Sequence, residues 1–407
     1  MTLGISERSA FATNPTQEGN AAAHALESRG VTVYRMNRGD PAAYIKTPGY
    51  IIKAYIKALK DGKTHYTEPR GIQPLREAVA RRYKRLYGLD ATEEHSVITQ
   101  GVSEAMSFLN TALIDKGDVA ILSRPFYPPY MPYLKIFEGN EIFADYDEDR
   151  GWNFDLEGMQ KMMRNVKNRK RRIKYMLITN PNNPTGTVLP RKTLEGIADL
   201  ANEHDFVLVS DEIYDELVFN GAKFTSMCQV AKGIPYIIFN GASKVFDSTG
   251  FRLGFALVPE EDRISEGIRR KFTDLANLRL CANAPAQYAF TEALNNAREH
   301  KKEIAKLVKE VSGRINFATD IVNGSEFMHA VRPNGAFYIF PKINFGKLRI
   351  RDDREFAEKL LNEEHVYITR GSGFGSEGHI RIVALAEKKT LRIAVERIGA
   401  FCKRHKR

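Results

Sequence analysis

An amide, a carboxylate with a phenol three residues on, and a lysine each stand directly after an apolar run in the middle of this chain. Tyr175 to Thr179 (YMLIT) leads into Asn180-Pro-Asn-Asn-Pro-Thr-Gly186, Phe206 to Ser210 (FVLVS) into Asp211-Glu-Ile-Tyr214, and Tyr236 to Phe239 (YIIF) into Asn240-Gly-Ala-Ser-Lys244. Open parallel sheets bind ligands beyond the carboxyl ends of their strands, so these groups are expected to converge on one sheet edge. Singly, each has a plainer reading: a turn for Asn180 to Gly186, a helix cap for Asp211, a solvated charge for Lys244. Their placement at consecutive strand ends favours a shared site. A fourth feature precedes them. Val97 to Gln100 reads as a short strand, Gly101 as a tight turn and Ser103 as the opening of a helix with Met106, Leu109 and Leu113 on one face. Backbone N–H groups and a hydroxyl at such a helix start make an anion site, although Ser103 alone would be read as a cap.

The elements that must hold these groups follow from hydrophobic pattern. From about Leu75 to Pro259, short continuous apolar runs alternate with amphipathic stretches, as in an α/β fold with parallel strands joined by helices. Leu189 to His204 has Leu194, Ile197, Ala198 and Ala201 at helical spacing, with Pro190 suited to a first turn. After Asn283 the pattern predicts one long helix through Ile321, a strand-like Gly335 to Ile343, a helix over Asp352 to Glu364, strands near Val366 and Ile380, and a closing helix from Glu387. That is a smaller α+β unit.

Size and composition fit this picture. At 407 residues the chain exceeds a single core, and 43% hydrophobic with 27% charged residues describes an ordinary globular protein. No apolar run reaches the ~18 residues of a membrane span, and Met1 to Gln17 lacks a signal-peptide core, so a cytoplasmic protein is expected. Cys228, Cys281 and Cys402 are too scattered for a disulfide framework or a metal site, and buried reduced thiols are expected. The net charge of +11 and the basic runs Arg164 to Lys174 and Lys403 to Arg407 carry few aromatics and no nucleic-acid motif, so they read as solvated surface.

Taken together, the segments resemble the class I/II aminotransferases of pyridoxal-phosphate fold type I, over nearly the whole chain. The matches, in the family's order, are Asn37-Arg-Gly-Asp-Pro41, Tyr66 with Gly71 and Leu75-Arg76, Gly101-Val-Ser-Glu-Ala105, Pro125-Phe-Tyr-Pro-Pro-Tyr130, Asn180 to Gly186, Asp211 to Tyr214, Ser243-Lys244 with Gly250-Phe-Arg-Leu-Gly254, Gly335-Ala-Phe-Tyr338, and Gly373-Phe-Gly375 followed by Arg381. The resemblance implies a large cofactor-binding domain over 51–288 with a mostly parallel sheet between helices. A small C-terminal domain over 289–407 and an N-terminal arm over 1–50, joining the small domain, complete the expected fold.

The resemblance also implies pyridoxal 5'-phosphate as cofactor, held by Lys244 as a Schiff base, with Asp211 at its pyridine nitrogen and Asn183 and Tyr214 on its phenolic oxygen. Lys244, Asp211 and Tyr214 are then the catalytic set, with Tyr127 stacked on the ring. The phosphate is expected on the backbone near Val102, on Ser103 and on Arg252, with Ser243 also in contact and Tyr66 reaching in from a second subunit of a homodimer. Arg381, with Asn183 and the backbone at Gly39, is expected to hold the substrate carboxylate. Three features depart from the family: Gly241 stands where Ser or Thr is usual, Asp247-Ser248 replaces a small and apolar pair, and the glycine-rich lead into Arg381 is short.

Leu278 to Gln287 and Asn240 to Val245 are most like alanine aminotransferases, which implies ping-pong exchange between alanine and 2-oxoglutarate. Aspartate or aromatic aminotransferases share the cofactor site, and a C–S β-lyase uses the same lysine and aspartate. Arg279 is either a receiver for a distal carboxylate or half of a structural ion pair. A regulator with an attached DNA-binding domain is not expected, because the segment before Asn37 is too short for one.

Overall fold

The computed structural model describes residues 4–168 and 172–407. Residues 1–3 of the polar N-terminus and 169–171 of the basic run lie outside the described residues. The centre is an eight-stranded sheet in the order Ser96–Thr99, Gly254–Leu257, Tyr236–Gly241, Val207–Asp211, Ile173–Thr179, Val119–Arg124, Asn140–Asp147 and Asn153–Phe154. The strands from Tyr236–Gly241 to Asn140–Asp147 are mutually parallel, while Gly254–Leu257 runs antiparallel to both its neighbours.

The apolar runs form central strands because both faces are covered. Met176, Ile178, Leu208 and Ile238 pack into one apolar cluster, and Tyr175, Leu177, Val207, Val209, Ile237 and Phe239 into the cluster on the other side. Each such side chain contributes about 1.5–3 kcal/mol on burial, which fixes the register. Thr179 lies opposite Asp211, and Asp211 opposite Phe239, so the strand ends line up.

The helix predicted over Leu189 to His204 runs from Arg191 to His204. Pro190 is its N-cap residue rather than part of the first turn. The long helix expected after Asn283 is two helices, Ala284–Asn295 and Ala297–Asn323. Asn296 ends the first, and its side chain accepts from Glu299 N to cap the second. Gly335 to Ile343 holds two strands of two residues, Tyr338–Ile339 and Lys342–Ile343, separated by Phe340 and by Pro341, which has no N–H to donate. Tyr338–Ile339 pairs with Ile380–Val383, which also pairs with Thr369–Arg370, and Tyr34–Arg35 pairs in parallel with Val366–Tyr367. The helices Asp353–Glu364 and Lys388–Arg404 complete this part.

All three cysteines are free; Cys228 and Cys402 are buried and Cys281 is half-buried. Among the described residues, no helix is long and apolar enough to cross a membrane.

Candidate active site

The aligned strand ends open into a cavity of about 490 Å³, a size suited to a small molecule. Eleven of the twelve residues singled out from the sequence line it: Gly39, Val102, Ser103, Tyr127, Asn183, Asp211, Tyr214, Ser243, Lys244, Arg252 and Arg381. Tyr66, the twelfth, is outside the cavity and 76% exposed.

Lys244 follows its strand by three residues, and its Nζ donates to the Gly39 carbonyl oxygen at 2.5 Å. Burial pushes this amine down to about 8; Arg381 and Arg252 act in the same direction, and the Asp40 carboxylate opposes them. A neutral, nucleophilic amine is thereby within reach near neutral pH. Asp40 is itself tied to the lysine loop, because Thr249 Oγ1 donates to its Oδ1 at 2.6 Å.

Asp211 is the last residue of its strand and is buried. Burial raises its carboxyl to about 6, against hydrogen bonds from Tyr130 and the Ile213 backbone and the nearby Lys244 charge. The Tyr130 hydroxyl donates to Asp211 Oδ2 at 2.6 Å and lies 2.9 Å from Thr179 Oγ1. Tyr130 was visible in the sequence only as the end of a motif, with nothing to mark it as the partner of a carboxylate 81 positions away.

Opposite the strand ends, Arg381 lies buried between two aromatic rings, 4.6 Å from the centroid of Tyr338 and 4.8 Å from that of Phe374. Its Nη1 donates to Asn183 Oδ1 at 2.9 Å and its Nη2 to the Asn37 carbonyl, while Nε has no partner among the described residues. The Tyr214 hydroxyl lies 2.7 Å from that of Tyr338, a residue to which the sequence assigned no role.

At the anion end, Gly101 turns with φ +74° into the helix Val102–Leu113. Its α-carbon faces the Arg252 guanidinium so closely that a β-carbon would lie 2.7 Å from Nη2. Gly241 pairs with Gly254 across antiparallel strands. A β-carbon on Gly241 would sit 2.6 Å from the Leu253 carbonyl oxygen and 2.7 Å from the Gly254 α-carbon; one on Gly254 would sit 2.8 Å from the Gly101 carbonyl carbon. Gly241 is therefore a packing requirement of this backbone.

Asp247 is buried at φ +46°, its Oδ1 without a partner among the described residues, and Ser248 donates to the Phe246 carbonyl at 2.8 Å; neither lines the cavity. Arg279 also lies outside the cavity: its Nη2 donates to the carbonyls of Pro69 and Ile98, and its Nη1 is 3.6 Å from Glu104.

Residues 35–398 match the family described as aminotransferase class I and II. An alanine aminotransferase of Mycobacterium tuberculosis is 33% identical over 92% of this chain and 87% of its own length. Among solved structures, an alanine aminotransferase from Pyrococcus furiosus superposes with a TM-score of 0.93 at 33% identity, covering 99% of this chain and all of its own. The aspartate aminotransferase from Thermus thermophilus with maleate gives 0.89 at 32% identity over 98% of this chain and all of its own. The expected fold, an α/β sheet of fold type I, is the fold these structures share with it. The chain belongs to the class I and II aminotransferases, a family that works with pyridoxal phosphate.

Proposed function

We propose that this aminotransferase exchanges an amino group between alanine and 2-oxoglutarate, with Lys244 as the residue that binds the cofactor and moves the proton. The observation that carries the reading is one cavity lined by a half-buried lysine, a buried carboxylate, an anion cradle and an arginine whose Nε has no partner among the described residues.

This donor set fits pyridoxal phosphate. The helix start at Val102, with Ser103, Ser243 and Arg252, suits its phosphate. Asp211, held by Tyr130, suits the pyridine nitrogen, Tyr127 the ring face, and Asn183 and Tyr214 the phenolic oxygen. When bound, the cofactor supplies an electron-accepting ring and the carbon that takes up the amino group.

The chain's own residues do the rest. Asp211 keeps a negative charge opposite the ring nitrogen, which favours its protonated form. Arg381 fixes the substrate α-carboxylate, with Asn183 and the backbone at Gly39, so that the Cα proton faces Lys244. Lys244 Nζ takes that proton and returns it at the neighbouring carbon, as a flexible amine lowered to about 8 can do.

The alanine-like segments Leu278 to Gln287 and Asn240 to Val245, together with relatives named alanine aminotransferases, support the substrate pair. Arg279, engaged by Pro69, Ile98 and Glu104, is assigned a structural part within its own subunit. The reading includes a homodimer in which the exposed Tyr66 completes the phosphate cradle of the second copy, and a cytoplasmic enzyme whose free thiols stay reduced.

A half-reaction screen tests it. Holoenzyme mixed with each amino acid alone should change spectrum once and stop, fastest with alanine and glutamate. Aspartate or an aromatic amino acid leading the ranking would overturn the substrate pair, and steady release of ammonia and pyruvate from a cysteine conjugate would overturn transamination.

A further inference from the structure

We propose that Tyr338 is a positioning residue that strengthens Tyr214 as a donor to the cofactor's phenolic oxygen while its ring holds the Arg381 clamp; the proposal rests on the roles given above to Tyr214 and Arg381. Tyr338 is 1% exposed, and its hydroxyl, 2.7 Å from that of Tyr214, makes no other side-chain hydrogen bond among the described residues. The Tyr338 ring carries the Arg381 guanidinium at 4.6 Å. Tyr338 pairs with Val383 and Ile339 with Ile382, so the backbone that sets Tyr338 also sets Arg381 one residue away. Gly39 leaves the room: a β-carbon there would collide with the Tyr338 hydroxyl.

The direction of the bond follows from proton supply. Each phenol has one proton to give. If Tyr214 spends its proton on the cofactor oxygen, its own oxygen is the acceptor in the Tyr214–Tyr338 bond, and Tyr338 donates. Hydrogen bonds aligned this way polarise one another, so the outer hydroxyl makes the inner one a stronger donor. The phenolic anion is then better stabilised, and the bound cofactor gives up its proton at lower pH. Removing the Tyr338 hydroxyl reverses the sign and moves that titration to higher pH.

The test is a spectrophotometric pH titration of the visible band of holoenzyme, combined with steady-state kinetics on alanine. Tyr338→Phe is expected to raise the midpoint by about 0.2–0.6 pH unit, with KM held within about twofold because the ring against Arg381 remains. Tyr338→Leu, which also removes the ring, is expected to raise KM by up to about 30-fold. Tyr214→Phe is expected to raise the midpoint further, and adding Tyr338→Phe to it to change nothing more.

An unchanged midpoint in Tyr338→Phe, beside a raised one in Tyr214→Phe, overturns the proposal and leaves the aminotransferase reading intact. A Tyr338→Phe shift that persists at full size in the Tyr214→Phe background also overturns it, since the effect would not pass through Tyr214. An unchanged midpoint in Tyr214→Phe removes the donor role of Tyr214 and the proposal with it. Should Tyr338→Leu fail to fold, the two Phe variants carry the test.

Discussion

Along the floor of the cavity, Asn183, Asp211 and Lys244 stand at or just beyond strands of seven, five and six residues, buried on both faces. Along its wall, Gly39, Tyr338 and Arg381 come from a loop, a strand of two residues and a strand of four, drawn from segments some 340 positions apart. The floor is set by the long hydrogen-bonded ladder of the central sheet, the wall by a short ladder between Tyr338–Ile339 and Ile380–Val383 and by side-chain contacts such as Arg381 with Asn183 and Tyr338 with Tyr214. The difference separates two tasks. On the proposed roles, Asp211 and Lys244, which serve every substrate alike, stand at the edge of the rigid sheet. Asn183 reaches from that edge to the substrate carboxylate, and the other groups that meet the carboxylate sit where smaller elements can adjust.

Substitutions can break or sharpen this division. The largest effect is expected on the floor: Lys244→Ala should lower turnover by at least about 10³-fold, with cofactor still held through the phosphate cradle, as single-turnover spectra would reveal. More than a tenth of wild-type turnover would remove Lys244 from the chemistry. Asp211→Asn should lower kcat by about 10²-fold, by a similar factor for every amino donor; a loss confined to one donor would move Asp211 from floor to wall.

Arg381→Lys should act on the wall instead, raising KM by about 10-fold or more with kcat less affected, because a lysine can neither fork nor stack. An equal fall in kcat with unchanged KM would dissolve the distinction. Smallest in its catalytic effect is Glu212→Gln. This carboxyl, next to Asp211 on the far side of the site, accepts from Ser210, Ser226 and the Met227 backbone, and burial raises it to about 8. Its folded-state pKa lies above the unfolded value, so the folded form binds the proton more tightly and stability falls as pH rises from about 4.5 to about 8. Glu212→Gln should flatten that slope, worth on the order of a few kcal/mol, with kcat unchanged; equal pH slopes in denaturant melts of the two proteins would argue against it.

The same division explains what the sequence revealed. Lys244 and Asp211 were legible because uninterrupted apolar runs announce buried strands, and the polar groups that follow each run have one edge to occupy; Asn183 was picked out among Asn180, Asn182 and Asn183 only by the family's motif. Tyr130 was not, because it begins a helix and reaches Asp211 only through the packing of distant segments. Tyr338 was hidden for a related reason: two residues show no period, and the apolar run continues through Phe340, so that two short strands read as one despite Pro341. Asn296 broke a helix inside a pattern whose apolar spacing continues across it. Arg381 needed the family's motif order, since nothing in its local spacing marks an ion clamp.

The glycines at 101, 241 and 254 form a seam where two strands and a helix start touch through backbone alone. That seam governs which histories are open to this protein. A hydroxyl side chain at position 241 is out of reach of a single substitution, because its β-carbon would need the space of the neighbouring strand. A lineage could gain it only by first separating the two strands, and that step would disturb the proposed anion cradle before any new ligand arrived. The site is thus held to its present donor set by geometry, and on the proposed roles redesign of phosphate binding has to begin at Ser243, Ser103 or Arg252.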